Sequence, residues 1–343
     1  MKEFNINITE KGVNMVPKMT MTPVGPKRVN YPTFIQGLMR TDGLNPNDLI
    51  NLLRADLEYG LTYLDTSDIY TNGYCEELLG KAFVLEKGIR DKFTLQTKCG
   101  IIPSEKGFNY YDFSKEHILA ACEASLRRLQ TDHIDFYLLH RPDALFEPEE
   151  IAEAFDELSQ SGKVLHFGVS NMNTQQLSYL KQFVDQDIEV NQLQMSVAHT
   201  MLIDADIMMN RAESLSIDHN QGILNYCRAI DCTIQAWSPF RSSKSELSGS
   251  LNDRLYKKIE TRPYLGSEEF MGINRKLEEY SKIYNVSPAA ISIAWILRHP
   301  AKMQIVLGSS KPARIIDALD GLKVSLSREE WYDIYLAGGN IVP

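Results

Sequence analysis

The sequence predicts an α/β fold, a single (β/α)8 TIM barrel with extended βα loops on its catalytic face. Three observations carry that prediction. Short apolar runs alternate with amphipathic stretches along the whole chain, enough for eight strand–helix units. The runs are apolar at odd and even positions alike, as strands covered on both faces must be. No GxGxxG follows the first run, so the fingerprint of the rival architecture, a doubly wound open sheet, is absent.

Taken in order, strands are expected at 33–37 (TFIQG), 61–65 (LTYLD), 93–97 (FTLQT), 134–139 (IDFYLL), 164–168 (VLHFG), 188–192 (IEVNQ), 232–236 (CTIQA) and 303–307 (MQIVL). Between them, helical spacing predicts helices at 46–59, 75–86, 115–129, 149–160, 174–183 and 220–230. Over 115–129, Ile118, Cys122, Ser125 and Leu129 line one stripe, and Ser114 supplies an N-terminal start. Residues 1–30 are expected to form a leader or a hairpin under the barrel, and 31–343 the barrel domain. Two long segments break the alternation, 197–221 and 241–267. Both follow strand ends, so both are expected on the catalytic face.

Composition narrows the functional classes. Thirty-six basic and 45 acidic residues leave a net charge of −9. Without clustered Lys and Arg, neither nucleic acid nor an anionic membrane surface is an expected partner. No apolar run reaches the roughly 18 residues of a membrane span, and the N-terminus lacks a secretory h-region. Five scattered cysteines suit free thiols in the cytoplasm. The pair Cys227 and Cys232 lacks the companions of a metal site, so no metal is expected. Oligomeric state is expected to be a monomer or a weak homo-oligomer.

Barrel enzymes place their chemistry where strands end. Asp65, Lys98 and His140 each follow immediately on an apolar run. Singly, each has a bland reading: a turn cap, a solvated strand end, a core histidine. Three in succession at equivalent positions are harder to dismiss, because buried charge is costly unless paired. Lys98 and Asp65 on neighbouring strand ends can pair. A phenol beside that ammonium would ionise more readily. Tyr70, five residues past Asp65, is the best placed; Tyr63 is mid-strand, and Tyr59 and Tyr74 fall on helical segments.

These residues sit in segments that resemble the aldo-keto reductase family. LDTSDIYTNGYCEELLGKAF (64–83) is similar to its Asp-Thr…Tyr…Glu-x-x-x-Gly-Lys signature. TLQTKCG (94–100), FYLLHRPD (136–143) and GKVLHFGVSN (162–171) resemble the segments that follow it, and the likeness runs from about 33 to 320. The Cys-Glu pair and HRPD look most like a bacterial branch. The resemblance implies NADPH-dependent reduction of an aldehyde or ketone to an alcohol, with a catalytic tetrad of Asp65, Tyr70, Lys98 and His140. Tyr70 would be the general acid, Lys98 would lower its pKa, Asp65 would hold Lys98, and His140 would orient the carbonyl.

The resemblance also implies cofactor positions. Ser170, Asn171 and Gln194 would meet the carboxamide, although Ser170 and Asn171 could equally cap a helix. Trp237 would stack on the nicotinamide, and Ser238, Phe240 and Ser242 would meet the pyrophosphate, with 241–267 as a clamp. Gly308, Ser309, Ser310, Lys311, Arg314 and Asp317 belong to a small loop and a helix beginning near Pro312, where the 2′-phosphate of NADP would bind. Asp317-Ala318 departs from the family's frequent Glu-Asn. Arg314 could instead pair with Asp317. Arg141 and His199 are candidate substrate residues; Arg141 could instead pair with Asp143. The alternative function is a nicotinamide-binding regulatory or redox-sensing subunit with slow incidental reductase activity.

Overall fold

The structure, a computed structural model, describes residues 17–207, 221–240 and 270–342. The 208–220 part of the first long segment, the 241–267 segment with Ser242, and residues 1–16 lie outside that set. Strands β1 (Met21–Val24) and β2 (Val29–Pro32) form an antiparallel hairpin. The barrel strands follow: β3 (Phe34–Gly37), β4 (Tyr63–Asp65) and β5 (Thr94–Cys99). A second hairpin, β6 (Ile101–Pro103) and β7 (Asn109–Tyr111), leaves the end of β5. Then come β8 (Ile134–Leu139), β9 (Val164–Ser170), β10 (Ile188–Gln194), β11 (Thr233–Trp237) and β12 (Gln304–Leu307). The eight strands pair in parallel in chain order, and β12 pairs with β3 to close the barrel. The predicted (β/α)8 barrel is the fold.

The helices are α1 (Pro46–Tyr59), α2 (Tyr74–Leu85), α3 (Lys115–Leu129), α4 (Pro148–Gln160), α5 (Thr174–Leu180), α6 (Met201–Ile207), α7 (Ile223–Ala229), α8 (Met271–Tyr284), α9 (Pro288–Leu297), α10 (Pro312–Leu319) and α11 (Arg328–Ala337). Their ends follow local chemistry. Asn45 caps α1 by accepting from the Asp48 amide, Pro46 occupies its first turn, and Gly60 ends it at φ 76°. Ser114 caps α3 as the sequence suggests, and Ile118, Cys122, Ser125 and Leu129 are all buried.

Strand alternation sorts the core into two layers. Phe34, Leu64, Tyr137 and Leu139 face the helices and join the large outer cluster, while Ile35, Tyr63, Phe136, Leu138, Val190 and Val306 fill the barrel with Val24 of the first hairpin. That hairpin covers the starts of the strands: Gly25 N–H donates to Thr233 Oγ1, and the Tyr31 ring meets Tyr63, Phe136 and His166. The catalytic face is therefore the opposite end, where β4, β5 and β8 finish.

Candidate active site

Period two in β4 and β5 turns Tyr63 with Asp65, and Gln96 with Lys98, toward the barrel axis. Asp65 and Lys98 are the last inward positions of their strands, and both side chains are buried. The ammonium Nζ lies 2.7 Å from Asp65 Oδ1 and 2.8 Å from Oδ2, and it donates to the Thr66 carbonyl at 2.8 Å. Gln96 and Gln192 Nε2 also donate to Asp65 Oδ1, at 2.5 and 2.9 Å. They continue through Gln235 to Gln304, so a chain of amides holds the carboxylate from below. A carboxylate with this many donors is held in one position and fixes its cation. Burial lowers the Lys98 pKa, but Asp65 and Tyr70 outweigh it and hold the pKa above its ordinary value.

The loop leaving β4 returns Tyr70 over this pair. Lys98 Nζ is 3.3 Å from the Tyr70 hydroxyl and 5.0 Å from its ring centre. Lys98 lowers the Tyr70 pKa as expected, but the expected net fall below the ordinary value is not what the site gives. Burial, the largest influence, raises the Tyr70 pKa above 10, and Lys98 only opposes the rise. The phenol thus keeps its proton at neutral pH. Tyr63 is enclosed in the barrel, where its hydroxyl donates to Gln96 Oε1, and does not compete with Tyr70.

His140 follows β8, with its N–H on the Cys99 carbonyl at 2.9 Å. Its ring stands edge-on to Tyr70 at 5.8 Å, and Nδ1 is 3.0 Å from Ser67 Oγ. Burial, Lys98 and Arg141 hold its pKa well below the usual histidine range, so the imidazole is neutral near pH 7. Asp65, Tyr70, Lys98 and His140 are thus gathered at one end of the barrel.

The proposed cofactor residues line the same end. Ser170 closes β9 and donates to the Gln192 carbonyl at 2.8 Å. Asn171, at φ 61°, donates to the His140 carbonyl and to Ser170 Oγ and accepts from Trp237 Nε1. The capping alternative for these two residues does not hold: α5 is capped by Asn173 in a capping box with Gln176. Gln194 ends β10 beside Trp237, and its side chain makes no hydrogen bond among the described residues. Ser238 has φ 49°, and Phe240 packs against the outer core. Gly308–Ser310 leads into α10, whose N-cap, Lys311, offers no side-chain cap. Gln36 Nε2 anchors that loop through the Ser309 carbonyl at 2.9 Å.

Two ion pairs left open by the sequence are not formed. Asp143 accepts from the Phe113 and Leu145 amides instead of Arg141, and the Arg141 guanidinium lies 5.7 Å from the Trp237 ring. No ion pair joins Arg314 to Asp317 among the described residues, and burial with nearby Asp320 raises the Asp317 pKa. His199 sits in a tight turn with Ser196 after β10. Sequence reasoning missed Ser67, Asp68, Gln96 and Gln192. Ser67 and Asp68 lie between two singled-out residues, and a second carboxylate in that short loop was the available signal.

The chain matches the sequence model of the Aldo/keto reductase family over residues 34–335. It is 33% identical over 317 residues to the uncharacterized oxidoreductase YcsN of Bacillus subtilis, covering 90% of this chain and 95% of that one. It is 34% identical over 288 residues to a 6-dehydroglucose reductase of Agrobacterium fabrum, covering 82% and 85%. In fold it is similar to an aldo-keto reductase of Klebsiella pneumoniae solved in complex with NADPH, with TM-score 0.66, 24% identity and coverage of 92% and 94%. Eight parallel strands, the four gathered side chains and the extent of the family match make this chain an oxidoreductase of the aldo/keto reductase family.

Proposed function

We propose that the protein reduces an aldehyde or ketone with NADPH, using Tyr70 as the proton donor. The observation that carries this reading is the Tyr70 hydroxyl, protonated by burial and set 3.3 Å from Lys98 Nζ at the open end of a barrel. The residues present suit the cofactor in their chemistry. Gln194 has an uncommitted amide for a carboxamide, Trp237 a ring for stacking, and Arg314 a guanidinium without a partner among the described residues. The Gly308–Ser310 loop and the start of α10 add amides for phosphate. When bound, the reduced nicotinamide supplies hydride to the carbonyl carbon.

The chain's own part is the proton and the orientation. Neutral His140 donates a hydrogen bond to the carbonyl oxygen and sets its angle. As charge develops on that oxygen, Tyr70 passes its hydroxyl proton to it, and the resulting phenolate is met by the adjacent ammonium of Lys98. Asp65 keeps Lys98 protonated and in place. The burial that raises the Tyr70 pKa keeps the acid loaded at neutral pH.

Tyr70→Phe tests this. Turnover with NADPH and a panel of carbonyl substrates, beginning with 6-dehydroglucose and simple aldehydes, should drop by roughly 10² to 10⁴, with cofactor affinity nearly unchanged. Reduction at the wild-type rate in that variant would refute the role of Tyr70.

A further inference from the structure

The loop between Asp65 and Tyr70 holds a second carboxylate that the mechanism above does not use. Asp68 lies beside Ser67, and Ser67 is the partner of His140. Ser67 Oγ is 3.0 Å from His140 Nδ1, 3.3 Å from Asp68 Oδ1 and 3.3 Å from the Lys98 carbonyl. That carbonyl already accepts from the Asp68 N–H at 3.2 Å. A hydroxyl has one proton to give, and a neutral imidazole has one nitrogen that donates and one that accepts. Whichever group takes the Ser67 proton therefore decides whether the other nitrogen of His140, Nε2, can act as a donor to the substrate.

We propose that Ser67 and Asp68 are positioning residues that set the tautomer of His140, with Asp68 acting through the Ser67 hydroxyl. With Asp68 protonated, its acid proton satisfies Ser67 Oγ, and Ser67 gives its own proton to Nδ1. His140 then carries its proton on Nε2, the state that can donate to a carbonyl oxygen. With Asp68 ionised, the carboxylate is the stronger acceptor and takes the Ser67 proton. Ser67 Oγ then accepts from Nδ1–H, and Nε2 presents a lone pair to the carbonyl. Ionisation releases one proton to solvent. The imidazole proton leaves Nε2 and returns on Nδ1 by exchange, so the ring stays neutral.

The surroundings bring this switch into a useful range. Four titratable side chains from the packed elements face Asp68: Glu76 of α2, Arg128 of α3, Cys99 of β5 and Tyr137 of β8. Glu76 is buried and committed, with Arg128 Nε at 2.7 Å and Thr97 Oγ1 at 2.5 Å. Burial, followed by the Glu76 charge, pushes the Asp68 carboxyl up to about 7, against Arg128, Ser67 and the Ile69 N–H. The Tyr70 proton is lost only at higher pH, so the two events are separate.

The catalytic consequence rests on the reading of His140 given above; the tautomer itself does not. Nitrogen-15 spectra of the full-length protein without substrate read it directly between pH 6 and 8, with the His140 signals identified by their loss in His140→Gln. The expected result is Nε2–H at pH 6 passing to Nδ1–H at pH 8. Asp68→Asn and Ser67→Ala abolish the transition, and Ser67→Thr, which keeps the hydroxyl, retains it. In turnover, kcat/KM for reduction falls about tenfold as pH rises through 7 in the wild type and stays flat in Asp68→Asn. A single tautomer throughout in the wild type, or a transition that survives Asp68→Asn, overturns the inference. If no carbonyl is reduced, the proposed function fails while the tautomer result stands; turnover alongside an invariant tautomer sinks this inference alone.

Discussion

Lys98 and Asp65 act as one unit, because neither charge is tolerable in the barrel without the other. Lys98→Met leaves Asp65 buried on its amide donors and raises the Tyr70 pKa further, so reduction at neutral pH should collapse. Asp65→Asn should also cripple the enzyme, but the double variant should lose less than the sum, with a coupling of about 1–3 kcal/mol in the activation free energies obtained from kcat/KM. Additive losses would mean that the pair is not coupled. Arg314 supports a different prediction. A guanidinium without a partner among the described residues, beside a helix start, is suited to hold a 2′-phosphate bidentately, as proposed above. NADPH should therefore bind more tightly than NADH by roughly 2–3 kcal/mol. Arg314→Ala should erase most of that gap, followed through quenching of Trp237. Equal loss of both cofactors would remove Arg314 from the phosphate site. At this scale the sequence was informative where reactive residues end apolar runs, which is how Asp65, Lys98 and His140 stand out. Asp68 and Ser67 follow no run. The second carboxylate of that loop was a weak local signal, but the roles proposed for these residues depend on the β4 loop meeting the end of β8, which the sequence pattern does not record. The sign of the Tyr70 shift was missed for a related reason: spacing reveals a neighbouring cation but not how completely a ring is enclosed.

Among the elements, α2 and α3 show why the signature segment carries a glycine in mid-helix. A Cβ at Gly80 would collide with the Arg128 carbonyl, so the two helices approach backbone to backbone only because Gly80 has no side chain. That approach brings Arg128 onto Glu76. Gly80→Ala should cost about 2–4 kcal/mol despite its better helix propensity, measured by denaturant unfolding. A neutral or stabilising result would mean that the helices can slide apart freely. Helices were the more legible elements, since α1 and α3 follow a clear stripe. The strands were legible in position but not in their ends: β5, β9 and β10 run two residues further, to Cys99, Ser170 and Gln194, while β3, β4 and β12 start one or two residues later than expected. Each extension includes a polar residue, Lys98, Ser170 or Gln194, beside a buried apolar one, Cys99, Val169 or Leu193, so the apolar runs lose their clear ends before the pairing stops. The β6–β7 hairpin was not foreseen, because its residues are mostly exposed and do not alternate.

For the whole molecule, stability should depend on a carboxyl far from the chemistry. Asp56 on α1 is fully enclosed, neither carboxyl oxygen has a partner among the described residues, and burial raises its pKa well above the usual value. An acid shifted upward by folding favours the native state in its protonated form. Its cost is absent below the unfolded pKa, near 4, and grows as pH rises toward the folded one. Asp56→Asn should therefore raise the melting temperature at pH 7 by a few degrees, and the gain should vanish near pH 4. A gain that is the same at both pH values would show that folding does not raise the pKa of this carboxyl.

The closure of the barrel has a consequence for how the chain is made. Strand β3 can complete its pairing only with β12, and the Gln304 side chain that clasps the Pro32 carbonyl at this seam is 272 residues away in sequence. On the ribosome, β3 therefore emerges long before its second partner and waits with one edge open. Most of the barrel can assemble as a curved open sheet during synthesis, but the ring is sealed only after Gln304–Leu307 has left the exit tunnel. Polypeptides stalled before that point would carry an unpaired parallel edge, the form most exposed to chaperones and to aggregation.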